Sequence, residues 1–263
     1  MDTERIERAA ELIAGWRRGQ IPMPELPQDA EPTSEDEAYA IQADVHTRLE
    51  RSLGRVAGYK IGCTTKVMQD YLKIPQPCAG GILEKNVFLE RAGAAASDYL
   101  ELGVECEIAA YLTAPLSPEN APYTRDSAGE CVGAFMAAME LVDDRYANFP
   151  TFGVNALIAD DFFNAGVVLA RPVNDWRSLD LAALKGSMTI NETLVGEGTG
   201  ADILGHPLEA LAWLANRYAK MGWSVPKGTF VLLGSVVQTH WVSPGDSVVC
   251  TIEGLGETTL RVV

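Results

Sequence analysis

A chain of 263 residues with 47% hydrophobic and 22% charged side chains can bury a substantial core, which excludes a disordered or fibrous protein. A formal net charge of -15 argues against nucleic acid as a partner, because phosphate backbones are bound through clustered lysine and arginine. With no apolar run of about 18 residues and a charged, amphipathic start without a signal-peptide pattern, the sequence predicts a cytoplasmic protein with no membrane partner.

Ile6, Ala9, Ala10, Ile13 and Trp16 recur at helical spacing. A second helix is predicted through Ala38, Ile41, Gln42, Val45 and Leu49, after the cap-like "PTSEDE". The four prolines of "GQIPMPELPQDAEPTS" mark a connecting arm between them, since each removes a backbone donor. Residues 1–55 therefore read as a helical N-terminal region.

From residue 56 onward sheet dominates: "VAGYKIG", "GGILEKNVFLE" and the longer "YLELGVECEIAAYL" are strand-like. "AGECVGAFMAAME" reads as a helix through Val132, Phe135, Met136 and Met139, running into a strand at "LVDDRY" and placing Glu140 at the junction. "HPLEALAWLANRYAKMG" is the best helical pattern in the chain, with Pro207 in its first turn and Gly222 as its stop. The glycine-punctuated "GTFVLLGSVV" and "GDSVVCTIEGLGETTLRVV" read as hairpins of a mixed or antiparallel sheet.

Several familiar chemistries lack their motifs. "GEGTG" has neither the spacing nor the lysine of a phosphate loop, and no G-x-S-x-G elbow is present. Five cysteines without a C-x-x-C pair predict reduced thiols. His46, His206 and His240 have no zinc-ligand spacing; His206 and His240 read as structural or surface residues. His46 lies on the second predicted helix near Gln42 and Glu50, which together could present acid and base groups to a pocket.

The acids in apolar surroundings carry more information. Residues two apart share a strand face, so Glu105 and Glu107 project together while Cys106 points the other way as a small core residue. Two unpaired buried carboxylates would repel and suffer desolvation, a difficulty that a hard divalent cation removes. The spacing alone leaves open a solvated strand face instead. Glu140 is the candidate third ligand, and Lys60, within "VAGYKIG", is the candidate countercharge or proton carrier.

At these residues the sequence resembles the fumarylacetoacetate hydrolase superfamily, in its 2-keto-4-pentenoate hydratase and 4-oxalocrotonate decarboxylase branch. The resemblance runs through "AYAIQ", "GYKIGCT", "ECE", "ELVDDR", "LGHPLEALAWLAN", "LLGS" and "PGD" in that order and covers nearly the whole chain. It implies an α/β (α+β) fold with a mixed β-roll core over residues 56–263, flanking helices and a homo-oligomer. It further implies Mg²⁺ or Mn²⁺ on Glu105, Glu107 and Glu140, with Lys60 as the catalytic lysine. The implied substrates are short 2-oxo acids or their 2-hydroxydienoate enols, products of aromatic-ring cleavage, and the implied reaction is hydration, with decarboxylation and acylpyruvate hydrolysis as alternatives. One departure stands out: where the hydratases carry Pro-Asp-Phe-Gly, this chain has Pro77, Cys78, Ala79 and Gly80.

Overall fold

The computed structural model describes residues 2–263. In chain order the elements are α1 (Thr3–Gly19), α2 (Glu35–Leu53), β1 (Val56–Gly62), α3 (Lys66–Leu72), β2 (Cys78–Leu83), β3 (Val87–Leu89), β4 (Arg91–Ala94), β5 (Leu102–Leu112), α4 (Arg125–Glu130), β6 (Val132–Asp143), α5 (Val154–Ala159), β7 (Asn164–Leu169), β8 (Lys185–Ile190), β9 (Thr193–Thr199), α6 (Pro207–Lys220), β10 (Phe230–Trp241), β11 (Ser247–Ile252) and β12 (Gly256–Val262). Seven strands form one sheet in the order β2-β1-β10-β5-β6-β7-β3, and five form a second, β4-β12-β11-β8-β9. Both are mixed: β1–β10, β3–β7 and β4–β12 run parallel and the other pairs antiparallel. The two sheets pack together through β5, β6 and β10 of the first and β8, β9, β11 and β12 of the second.

The predicted helices form where capping and apolar spacing agree. Asp2 caps α1 by accepting from the Arg5 amide, and Ser34 caps α2 by accepting from the Glu37 amide. His206 caps α6 through Nδ1, which accepts from the Leu208 amide at 3.1 Å, so its role is structural as expected. Ala9, Ala10 and Ile13 of α1 and Ala38, Ile41 and Val45 of α2 belong to the same buried core as the sheets. The five cysteines are free thiols.

The expected helix over "AGECVGAFMAAME" is corrected. Only Arg125–Glu130 is helical, and Val132–Asp143 is the strand β6. Between β5 and β7, with the second sheet over it, nearly every residue of β6 is buried, so its apolar residues lose the period-two signature. Helix-favouring Ala and Met are then overridden by burial on both faces. Glu140 is accordingly a mid-strand residue rather than a junction.

Candidate metal centre and active site

On β5 the alternation holds. Cys106 is fully buried, with its Sγ 3.6 Å from the Ser187 carbonyl oxygen of the second sheet. Glu105 and Glu107 therefore project from the opposite face of β5. Glu105 stands directly across from Glu140 of β6 in the antiparallel register, and Glu107 across from Ala138. Side chains directly opposite on neighbouring strands are the closest cross-strand neighbours a sheet offers. Carboxylate oxygens of Glu105, Glu107 and Glu140 come within 4.8 Å of one another.

Burial makes this juxtaposition costly. Glu107 is 1% exposed and Glu140 0%. Desolvation and repulsion from Glu140 raise the Glu105 carboxyl above its ordinary value, and desolvation with repulsion from Glu140 and Glu105 pushes Glu107 well above it. Part of the charge is answered by the chain. Lys60, 3% exposed, extends from β1 to place Nζ 3.2 Å from Glu140 Oε1. Burial alone would lower the Lys60 pKa, but Glu140, Glu105 and Glu107 overcome it and hold the ammonium above its ordinary value.

Each carboxylate is also held by hydrogen bonds. Asn164 donates Nδ2 to Glu140 Oε1 at 2.9 Å, the Gly234 amide donates to Glu107 Oε2 at 2.9 Å, and the Thr239 hydroxyl donates to Glu105 Oε1. Glu140 Oε2 is buried and has no partner among the described residues. A hard divalent cation fits such a site: three carboxylates converge, Glu140 has one buried oxygen without a donor, and three carboxylates outnumber the one lysine beside them.

The structure thus brings Lys60, Glu105, Glu107 and Glu140 together. It separates His46 from Glu50: His46 Nε2 donates to Asp161 Oδ1 at 2.7 Å, whereas Glu50 pairs with Arg55 at the surface. Gln42 is equally occupied, donating to the Ala79 and Ile158 carbonyls at 2.9 and 2.6 Å. Cys78 is buried, and hydrogen bonding to Cys63 together with burial pushes its thiol well above the ordinary value.

Sequence reasoning missed Asn164, Phe162 and Asp161. Phe162 lies beside Lys60, whose Nζ is 5.4 Å from the ring centroid. Their signal was present in "LIADDFFNAGVVL", where two adjacent acids interrupt an apolar run.

The fold and site define a mixed two-sheet α/β protein with a three-carboxylate, one-lysine centre in which Lys60, Glu107 and Glu140 are buried. The fumarylacetoacetate (FAA) hydrolase C-terminal profile matches residues 87–263, and the chain belongs to that family. It is 31% identical over 254 residues to a 2-keto-4-pentenoate hydratase of Paraburkholderia xenovorans, spanning 96% of this chain and 93% of the relative. To a 4-oxalocrotonate decarboxylase of Pseudomonas putida it is 28% identical over 230 residues, spanning 86% and 85%. The structure superposes on the 4-oxalocrotonate decarboxylase of Pseudomonas putida G7, complexed with magnesium and adipate, with a TM-score of 0.93 at 25% identity over 100% of this chain and 99% of that one.

Proposed function

We propose that this chain is a divalent-metal-dependent lyase of short 2-oxo acids or their 2-hydroxydienoate enols, with Glu105, Glu107 and Glu140 holding Mg²⁺ or Mn²⁺ and Lys60 as the catalytic residue. The observation that carries the proposal is the Lys60 ammonium, buried 3.2 Å from Glu140 Oε1 beside a carboxylate cluster that its single charge does not balance. When bound, the cation supplies a fixed positive charge for an oxygen on which negative charge develops. Lys60, buried beside the three carboxylates, is placed to pass a proton to substrate bound at the same centre. Asn164 and the Gly234 amide fix the carboxylates, so the site needs little reorganisation during reaction.

Hydration of a 2-hydroxy-2,4-dienoate to a 4-hydroxy-2-oxo acid is the first reading, supported by the 31% identity to a named hydratase across nearly the full chain. Decarboxylation of a 2-oxo-3-enedioate is the second, favoured by position 78. Both reactions need a proton donor to carbon, but only hydration needs water activated, and a buried Cys78 thiol with a raised pKa does not serve as that base. The hydrolase alternative loses its local candidates, because His46 and Glu50 do not face each other. A homo-oligomer belongs to the same reading.

The test is incubation of Mg²⁺-loaded protein with a panel of 2-hydroxydienoates and 2-oxo-enedioates, following dienol absorbance and CO₂ separately. Dienol loss without CO₂ supports hydration, and CO₂ release from the enedioate alone supports decarboxylation. Turnover of neither class overturns the proposal.

A further inference from the structure

Between α5 and β7 the chain makes a turn in which Asp161, Phe162 and Phe163 all have positive φ, at 59°, 50° and 69°. Three consecutive non-glycine residues in the left-handed region form a sparsely populated arrangement that persists only where its surroundings over-determine it. Here they do. The Asp161 carboxylate accepts from Arg17 Nη1 at 2.7 Å, from His46 Nε2 at 2.7 Å and from the Gly81 amide at 2.8 Å. Arg145 grips the turn from the other side, donating to the Asp160 carboxylate at 2.7 Å and to the Asp160 and Asn164 carbonyls at 2.9 and 3.0 Å. The glycines of β2 leave room for it: a Cβ on Gly80 would lie 2.8 Å from the Asp161 carbonyl oxygen, and one on Gly81 would collide with the His46 ring.

The turn's position gives the strain a purpose. Its second residue, Phe162, lies beside the Lys60 ammonium, and the residue just after the turn, Asn164, holds Glu140 Oε1. We propose that His46 and Asp161 are positioning residues whose hydrogen bond, completed by the Arg17–Asp161 salt bridge, locks this left-handed turn so that Phe162 and Asn164 are held against the Lys60–Glu140 pair. His46 and Asp161 bear on substrate only through the turn, and this role rests on the proposed lyase reading. It also accounts for Arg17 of α1 and His46 of α2 both converging on the Asp161 carboxylate of the turn.

The geometry supplies a direct test. His46 lines a space of about 160 Å³ shared with Tyr59, Tyr218 and Trp223, so removing its imidazole enlarges an existing cavity that free imidazole can enter. Two readouts are compared in wild type, His46→Ala and His46→Gln: steady-state kinetics with Mg²⁺ on a 2-hydroxy-2,4-dienoate and a 2-oxo-3-enedioate, and amide hydrogen exchange of the 160–165 segment without substrate. For His46→Ala the expected result is a fall in kcat of about 100-fold, the cost of misplacing catalytic groups by about 1 Å, with KM little changed and exchange of the segment accelerated. Added imidazole restores part of kcat and slows exchange, and His46→Gln, which keeps a donor for Asp161, retains most of both.

Unchanged exchange and unchanged kcat in His46→Ala overturn the proposal, as does a loss that neither imidazole nor glutamine recovers. If wild type turns over neither substrate class, the lyase reading falls, while the exchange readout still decides whether the His46–Asp161 contact locks the turn. Should His46→Ala not fold, Gly81→Ala displaces the ring without deleting it. Accelerated exchange in that variant supports the proposal, and wild-type exchange overturns it.

Discussion

Asn164 donates its side-chain amide to Glu140 at the same oxygen, Oε1, that faces the Lys60 ammonium, and leaves Oε2 free of any partner among the described residues. Asn164 and Lys60 together hold Oε1 and so restrict the rotation of the carboxylate. Loss of such an orienting partner costs about 10–100-fold in metal affinity. Asn164→Ala is therefore expected to weaken Mg²⁺ binding by that factor in a calorimetric titration, and undiminished affinity would show that Asn164 does not orient the ligand.

Glu107→Gln removes one charged donor while keeping the side chain's shape. Metal affinity and turnover are expected to fall together, further than in Asn164→Ala. The metal-free variant should melt higher than metal-free wild type, because a repelled, desolvated carboxylate has gone. Titration calorimetry and thermal melts in chelator check both halves, and wild-type metal affinity in the variant would remove Glu107 from the ligand set.

Stability without metal should depend on pH in an unusual direction. Glu105 and Glu107 have folded-state pKa values above the ordinary 4.5, so the folded state binds protons more tightly than the unfolded one. Their contribution is favourable below pH 4.5 and is lost as pH rises from there through the raised values. The stabilisation brought by Mg²⁺ is expected to grow over the same window, with proton release on binding. Melting temperatures across pH in chelator and in Mg²⁺ test this; parallel curves would contradict it.

Lys60→Met keeps most of the stem and deletes the charge. Turnover is expected to disappear while Mg²⁺ still binds. The metal-free variant should lose about 3–5 kcal/mol, the usual consequence of leaving one partner of a buried ion pair alone, and Mg²⁺ should return part of it by binding only the folded state. Denaturant melts with and without Mg²⁺ measure the difference. Residual wild-type kcat would exclude Lys60 as the proton donor.

Cys78→Asp places a carboxylate where the thiol is buried beside Cys63. The expected outcome is a higher ratio of hydration to CO₂ release, because an aspartate can accept a proton from water while its charge hinders a dianionic enedioate. Product ratios on paired substrates give the answer directly, and an unchanged ratio would remove position 78 from the choice between the two reactions.

Elements whose hydrophobic period survives in one dimension were legible before folding was considered. The stripes Ile6–Ala9–Ile13 and Ala38–Ile41–Val45 gave α1 and α2, and Pro207 with its apolar face gave α6. Strict alternation in "VECEI" put Glu105 and Glu107 on one face, away from Cys106, and burial chemistry made a cation the economical explanation. Tertiary structure decided what local pattern does not encode. β6 is buried on both faces and shows no strand period, so Glu140 acquires its place only through register with Glu105. Asp161 finds His46 across 115 positions and Asn164 finds Glu140 across 24, contacts that exist only after the sheets have closed. Periodicity reports which face of an element meets the core; which charged groups meet each other there is set by strand order, register and the strained turn that joins α5 to β7.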